Sequence, residues 1–198
     1  MVRLALLSIS VLAVCSAPGQ VSSDKKFSWD WRKAEGLSYR QDLRNQHIPE
    51  LQRTRIKLAI LEHVEETTQD EALDTPVKFV DLNHDGSPEV VAQGPRSHCS
   101  ATGNCPFAVF RKDKDGGYSL ILKSFGQTFT VQARRNSFSD VIVGMHGSAY
   151  HTALFVFRYN KTGYRRVGCY DARWDWTGES PGAEDKEPQI TPCARPRR

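Results

Sequence analysis

Hydrophobic positions follow two different periods along this chain. From Pro49 to about Glu66 they recur at helical spacing, with Leu51, Leu58 and Leu61 joining the Ile56, Ile60, Val64 row in one broad apolar stripe. Pro49 suits a first helical position and Glu50 the positive end of the helix dipole. A shorter helix is expected over Ser38 to Asn45. After Thr75-Pro76 the pattern changes to short alternating runs separated by turn residues. Strands are predicted at Val77 to Val80, Glu89 to Gln93, Phe107 to Lys112, Tyr118 to Lys123, Phe129 to Gln132, Val141 to Met145, Ala153 to Tyr159 and Tyr164 to Tyr170. Asp113-Lys114-Asp115-Gly116-Gly117 and Asn160-Lys161-Thr162-Gly163 each lie between two such runs, as hairpin loops should.

The hairpins suggest an internal repeat. Ala108-Val109-Phe110-Arg111 leads through its turn to Gly117-Tyr118, and Phe155-Val156-Phe157-Arg158 leads to Gly163-Tyr164. Upstream of each stands an acid with a β-branched pair, Glu89-Val90-Val91 and Asp140-Val141-Ile142, so the period is roughly fifty residues. Two copies are too few to close a propeller. The expected fold is therefore mainly β (α+β): a curved antiparallel sheet or sandwich from two duplicated hairpin units, with an N-terminal helix packed on one face.

Length and composition refine this picture. At 198 residues the chain has room for one domain with a proper core, expected over 37–176, helical over 37–72 and β-rich over 77–174. Residues 1–17 read as a secretory signal peptide: a basic start, an apolar run from Leu4 to Val14 too short to span a bilayer, and small residues at Cys15-Ser16-Ala17. A lipid anchor on Cys15 is the alternative. Residues 18–36 are polar but carry Trp29 and Trp31, which share a face if extended and so cover the edge of the core, with sugar stacking as the weaker reading. Residues 177–198, rich in Pro, Gly and charge, read as a mostly disordered tail tethered only if Cys193 forms a bond.

Without Cys15, four cysteines remain: Cys99, Cys105, Cys169 and Cys193. Local pairing, Cys99 with Cys105 and Cys169 with Cys193, would contribute about 2.4 and about 3.5 kcal/mol through loop closure. A four-cysteine zinc site is disfavoured by the spacing. Export to an oxidising compartment, secreted or periplasmic, follows. The formal charge is +4, with basic pairs at Arg134-Arg135 and Arg165-Arg166 and a basic terminus. Such pairs are ordinarily solvated surface; a polyanion is an alternative partner, but no nucleic-acid module is recognisable.

The most specific chemistry lies in Asp81-Leu82-Asn83-His84-Asp85-Gly86-Ser87-Pro88-Glu89. Oxygen ligands at loop positions 1, 3 and 5, a carbonyl at 7 from Ser87 and a carboxylate at 9 suit calcium, and glycine at 6 permits the sharp turn. Ala92 stands at position 12, so Glu89 must be the closing carboxylate. The competing reading is an Asx-rich turn without metal. In the second unit Gln132, Arg134 and Asn136 fall opposite Asp81, Asn83 and Asp85. The ligand set is lost there, and Arg134 is expected to replace the metal's charge in part.

With its flanking Phe79-Val80 and Val90-Val91, this stretch resembles the calcium loop of FG-GAP and VCBS-type extracellular β-repeats over about fifteen residues. That resemblance implies a metal that knits neighbouring strands within a binding or adhesive scaffold. The distal half, with Asn104-Cys105-Pro106 before a hairpin, resembles small exported bacterial proteins and implies no mechanism.

A catalytic alternative centres on His146, Ser148 and His151, with Asp140 as orienter. No nucleophile elbow or zinc-helix motif supports it, and a polar connection is the default. His98 and His84 read as ordinary loop residues, and Asn160-Lys161-Thr162 as a turn that matches a glycosylation acceptor. The expected function is a non-enzymatic binding or envelope-associated module. Its partner is a protein or polysaccharide of the cell envelope or medium, with no nucleic acid and no transmembrane segment. A small extracytoplasmic hydrolase and an inhibitor of an extracellular enzyme are the alternatives.

Overall fold

In a computed structural model, residues 27–36, 41–64, 67–135, 137–174 and 187–193 are described. Residues 1–17, expected to be a signal peptide, with Cys15 among them, and Asn136 lie outside them. Among the described residues, eleven strands form two antiparallel sheets. In chain order they are β1 (Glu35–Gly36), β2 (Gln41–Asp42), β3 (Pro76–Val80), β4 (Glu89–Gln93), β5 (Cys105–Lys112), β6 (Tyr118–Gly126), β7 (Thr128–Gln132), β8 (Asp140–Ser148), β9 (His151–Tyr159), β10 (Tyr164–Arg173) and β11 (Gln189–Pro192). The first sheet runs β2-β3-β4-β5-β6 and the second β1-β7-β8-β9-β10-β11. Each therefore contains a four-strand meander, β3 to β6 and β7 to β10, with a short N-terminal strand added at its leading edge. The predicted turns at 113–117 and 160–163 close β5–β6 and β9–β10, with Asp113 N–H donating to the Gly117 carbonyl and Asn160 N–H to that of Gly163.

Period two divides the apolar residues among three layers. Val91, Phe107 and Val109 of the first sheet meet Phe129, Val141 and Val143 of the second in the space between the sheets. Alternate residues of the first sheet, Val77, Val90, Ala92, Ala108 and Phe110, face the helical layer. Those of the second, Ile142, Leu154, Val156 and Ala172, pack beneath Trp29, with Phe27, Trp31 and Trp174 around them. The tryptophans thus cover the outer face of the second sheet, and Trp29 Nε1 donates to Thr130 Oγ1 at 3.2 Å.

Helix α1 (Glu50–His63) starts behind Pro49 and ends three residues before the predicted limit. It buries Ile56, Ala59 and Ile60, and Val64 follows, but Leu51 and Leu58 remain 63% and 58% exposed. At 100° per residue those two leucines lie on the side opposite Ile56 and Ile60, so the six-residue stripe was too broad. Helix α2 (Gln69–Leu73), within the segment read as helical, begins with a reciprocal capping box in which Glu71 N–H donates to Thr68 Oγ1 and Thr68 N–H donates to the Glu71 carboxylate.

One expectation is corrected. Within Ser38 to Asn45, residues 41–45 form β2 and one 3₁₀ turn over Leu43–Asn45 rather than a helix. The reason is tertiary: Leu43 is fully buried and its N–H donates to the Thr75 carbonyl. The tail was expected to be tethered if Cys193 forms its bond, and the Cys169–Cys193 disulfide is present. β11 pairs with β10 from Tyr170↔Pro192 to Arg173↔Gln189, while residues 175–186 and 194–198 lie outside the described set.

Candidate metal loop and its counterpart

Antiparallel pairing of Val80 with Glu89 makes the Asp81–Pro88 stretch the connection between β3 and β4. Positive φ at His84 (62°) and Gly86 (83°) curls it, and Gly86 is the residue type that takes that conformation without cost. The polar side chains turn onto the loop's own amides. Asp81 accepts from His84 N–H at 2.7 Å and Gly86 N–H at 3.0 Å. Asn83 Oδ1 accepts from Asp85 N–H, and Asp85 Oδ1 accepts from Ser87 N–H. Asn83 Nδ2 donates to Asp85 Oδ2 at 2.7 Å.

Glu89 is 1% exposed, and its Oε2 accepts from Leu82 N–H at 2.8 Å. Burial pushes its carboxyl above the usual carboxylate range, the Leu82 amide opposes this, and the charges of Asp85 and Asp81 add to the rise. Asp81, Asp85 and Glu89 form no ion pair with a Lys, Arg or His among the described residues. Three carboxylates, one amide and the Ser87 carbonyl fit a hard cation by donor chemistry. Their geometry is that of an amide-filled Asx loop, and no group of three His, Cys, Asp or Glu side chains converges as a metal cage among the described residues.

The connection between β7 and β8 occupies the corresponding place in the second sheet, where Gln132 pairs with Asp140 as Val80 pairs with Glu89. Its chemistry is reversed. Asp140 is also buried, but Arg158 donates from Nε to Oδ1 at 3.2 Å and from Nη2 to Oδ2 at 2.9 Å. Arg134 adds a contact at 3.4 Å. Arg134, expected to replace the metal's charge in part, thus touches Asp140 at its edge, and Arg158 makes the closer, two-pronged contact. Arg111, which follows Val109-Phe110 as Arg158 follows Val156-Phe157, instead donates to the Tyr159 hydroxyl at 2.7 Å.

The two connections touch. Ser139 N–H donates to the Leu82 carbonyl at 2.6 Å, and Ser139 Oγ lies 3.2 Å from His84 Nε2. Tyr164 donates its hydroxyl proton to the Ser139 carbonyl at 2.8 Å. Burial first, then the Glu89 and Asp140 charges, hold that phenol far above its ordinary pKa. His84, read as an ordinary loop residue, is thus a link between the sheets; its side chain had to be seen against a residue 55 positions away.

The disulfides are Cys99–Cys105, with Cα atoms 4.1 Å apart, and Cys169–Cys193, at 5.4 Å. The first closes a loop whose Asn104 grips the backbone of His146, accepting from its N–H at 2.7 Å and donating to its carbonyl at 2.8 Å. The second ties β11 to β10.

The four residues of the catalytic alternative do not assemble. Asp140 begins β8 and Ser148 ends it, roughly 25 Å apart along an extended strand. Asp140 is committed to Arg158, and Ser148 Oγ accepts from Tyr150 N–H at 3.4 Å. His151 lies across from Ser148, but its Nε2 contacts Asp171 at 2.9 Å, diagonally across the β9–β10 pair in which His151 itself stands opposite Arg173. Cavities beside α1, beside α2 and under the N-terminal tryptophans are lined by other residues.

No family model matches the chain, and neither a curated protein nor a solved structure matches it. The class that can be stated is that of a two-sheet β domain with two disulfides and a flanking helix. Among the described residues no helix is long and apolar enough to cross a membrane.

Proposed function

We propose that this protein is an exported, calcium- and disulfide-stabilised β-domain that serves as a non-enzymatic binding module. One observation carries the calcium reading. Glu89 and Asp140 hold matching buried positions, but Asp140 has two arginines while Glu89 has two further acids and, among the described residues, no cation. A bound divalent ion would balance the first loop as Arg158 and Arg134 balance the second. Asp81, Asn83, Asp85, the Ser87 carbonyl and Glu89 would hold it, after Asp81 and Asp85 release the amides they now accept from. What calcium supplies is charge balance and a fixed spacing between β3 and β4, in keeping with the FG-GAP and VCBS resemblance and with a duplicated unit that lost its ligands in the second copy.

Affinity of about 0.1 to 1 mM, the range of extracellular modules, matches three carboxylates without a bidentate residue at position 12. At free calcium about twenty times Kd the ion would stabilise the fold by about 1.8 kcal/mol. Export rests on the disulfides, which persist in oxidising compartments. The partner is read as a protein or polysaccharide of the envelope or medium. Calcium titration calorimetry of the mature protein tests the site: heat is expected for the unmodified chain and none for Asp85→Ala. A silent unmodified protein would remove calcium from this reading.

A further inference from the structure

Cations concentrate at one end of the second sheet's outer face. Registers Gln132↔Asp140 and Arg158↔Arg165, together with the Asp140–Arg158 contact, set Gln132, Asp140, Arg158 and Arg165 in one row across β7 to β10. At about 4.8 Å between strands this row spans about 14 Å. Arg158 and Arg165 are directly opposed, an arrangement that destabilises an antiparallel pair unless something negative lies over it. Asp140 is the row's only acid, is buried, and already serves both Arg158 and Arg134. Arg135 and Arg165 are exposed and form no ion pair among the described residues.

The row adjoins the indole-bearing segment. Gln132 Nε2 reaches the Ser28 carbonyl at 3.5 Å, and three residues on Trp31 is half-buried with the Arg32 guanidinium 4.8 Å from its ring centre. Forked guanidinium groups match carboxylate and sulfate in two-pronged fashion, and an indole offers a flat apolar surface to a sugar ring. A lipid surface would call for a cluster of protruding apolar side chains, and along β10 here only Val167, 52% exposed, protrudes.

We infer that this strip is the docking surface for a linear anionic polysaccharide, its acidic groups on Arg165, on the edge of Arg158 turned away from Asp140 and on the neighbouring Arg135, and a sugar ring on the outer side of the Arg32–Trp31 stack. The inference deepens the binding-module reading and rests on it, by giving the module a partner class. The Asp81–Glu89 loop lies beside the strip through the His84–Ser139 contact, so neutralising that loop with calcium would strengthen the attraction.

The test is titration of the full mature chain with a heparin oligosaccharide and, separately, with a polygalacturonate fragment, at about 0.05 and about 0.2 M salt, with and without chelator. Arg135→Glu/Arg165→Glu should weaken binding by about tenfold or more and flatten its salt dependence by about two charges. Lys57→Glu, on α1 across the molecule, should leave it unchanged. The milder Arg135→Gln/Arg165→Gln pair should weaken it by a smaller factor and covers failure of the charge reversal to fold. Absence of binding by the unmodified chain, or undiminished binding by both pairs, overturns the inference. Equal affinity for duplex DNA or for vesicles rich in anionic lipid overturns the polysaccharide assignment. Binding that persists in chelator, beside a silent calcium titration, supports the strip and removes the calcium reading alone.

Discussion

Arg158 reaches from β9 to the buried side chain of Asp140 on β8 and binds both of its oxygens, at 3.2 and 2.9 Å. Removing Arg158 leaves the carboxylate, held away from water at 8% exposure, with the looser Arg134 contact at 3.4 Å. Arg158→Met is therefore expected to cost about 1 to 3 kcal/mol, below the full buried-pair penalty because the arginine is half exposed. Arg158→Met/Asp140→Leu should recover most of that loss in urea denaturation.

Arg134 contributes less. Its 3.4 Å contact comes from a side chain 40% exposed, so Arg134→Ala should cost about 0 to 1 kcal/mol in the same measurement. An unchanged stability would leave Arg158 as the whole of the charge compensation.

Glu89 supplies a pH dependence of the opposite sign to an ordinary ion-paired acid. Its folded pKa is raised by burial, so the native state holds this proton more tightly than the unfolded chain. The contribution is complete below the unfolded value of about 4.3 and is lost as pH rises through the raised folded value. In chelator, thermal scans from acid to neutral pH should show this decline, and Glu89→Gln should flatten it. Calcium, which favours the carboxylate, should oppose it in the unmodified protein only.

Tyr164→Phe removes the hydrogen bond to the Ser139 carbonyl, which within the second sheet holds the residue that meets Leu82 and His84 of the first sheet's loop. Its loss at a buried site should cost about 1 to 2 kcal/mol by chemical denaturation. Amide exchange at Ser139, which donates to Leu82, should quicken with it.

Helix α1 offers a contrast within one element. Ile60→Ala, at a fully buried site, should cost about 2 to 4 kcal/mol, while Leu51→Gln and Leu58→Gln should stay within about 0.5 kcal/mol. Equal losses at all three positions would mean that the exposed leucines are covered in solution.

The alternation after Pro76 and the turn residues at 113–117 and 160–163 were enough to place the hairpins, because these depend on residues close in sequence, whereas the four cysteines permitted three pairings and the fold selects the local one. Leu51 and Leu58 misled because hydrophobicity identifies a helix more readily than the face it buries. Leu43 lies where local pattern suggested a helix, yet a hydrogen bond to Thr75 and complete burial hold it elsewhere. The short strand Gln189–Pro192 carries little intrinsic signal and exists against β10, beside the Cys169–Cys193 bond.

The chain's sequence by itself determined the local grammar: strand, turn and helix periods, and the acidic loop from Asp81 to Glu89. Only tertiary structure decided the partners. Arg158 meets Asp140, His151 meets Asp171, and His84 meets Ser139 through register and sheet packing, which bring together side chains 18, 20 and 55 positions apart. Electrostatic pairing falls off with distance in space, and distance in space is set by the fold.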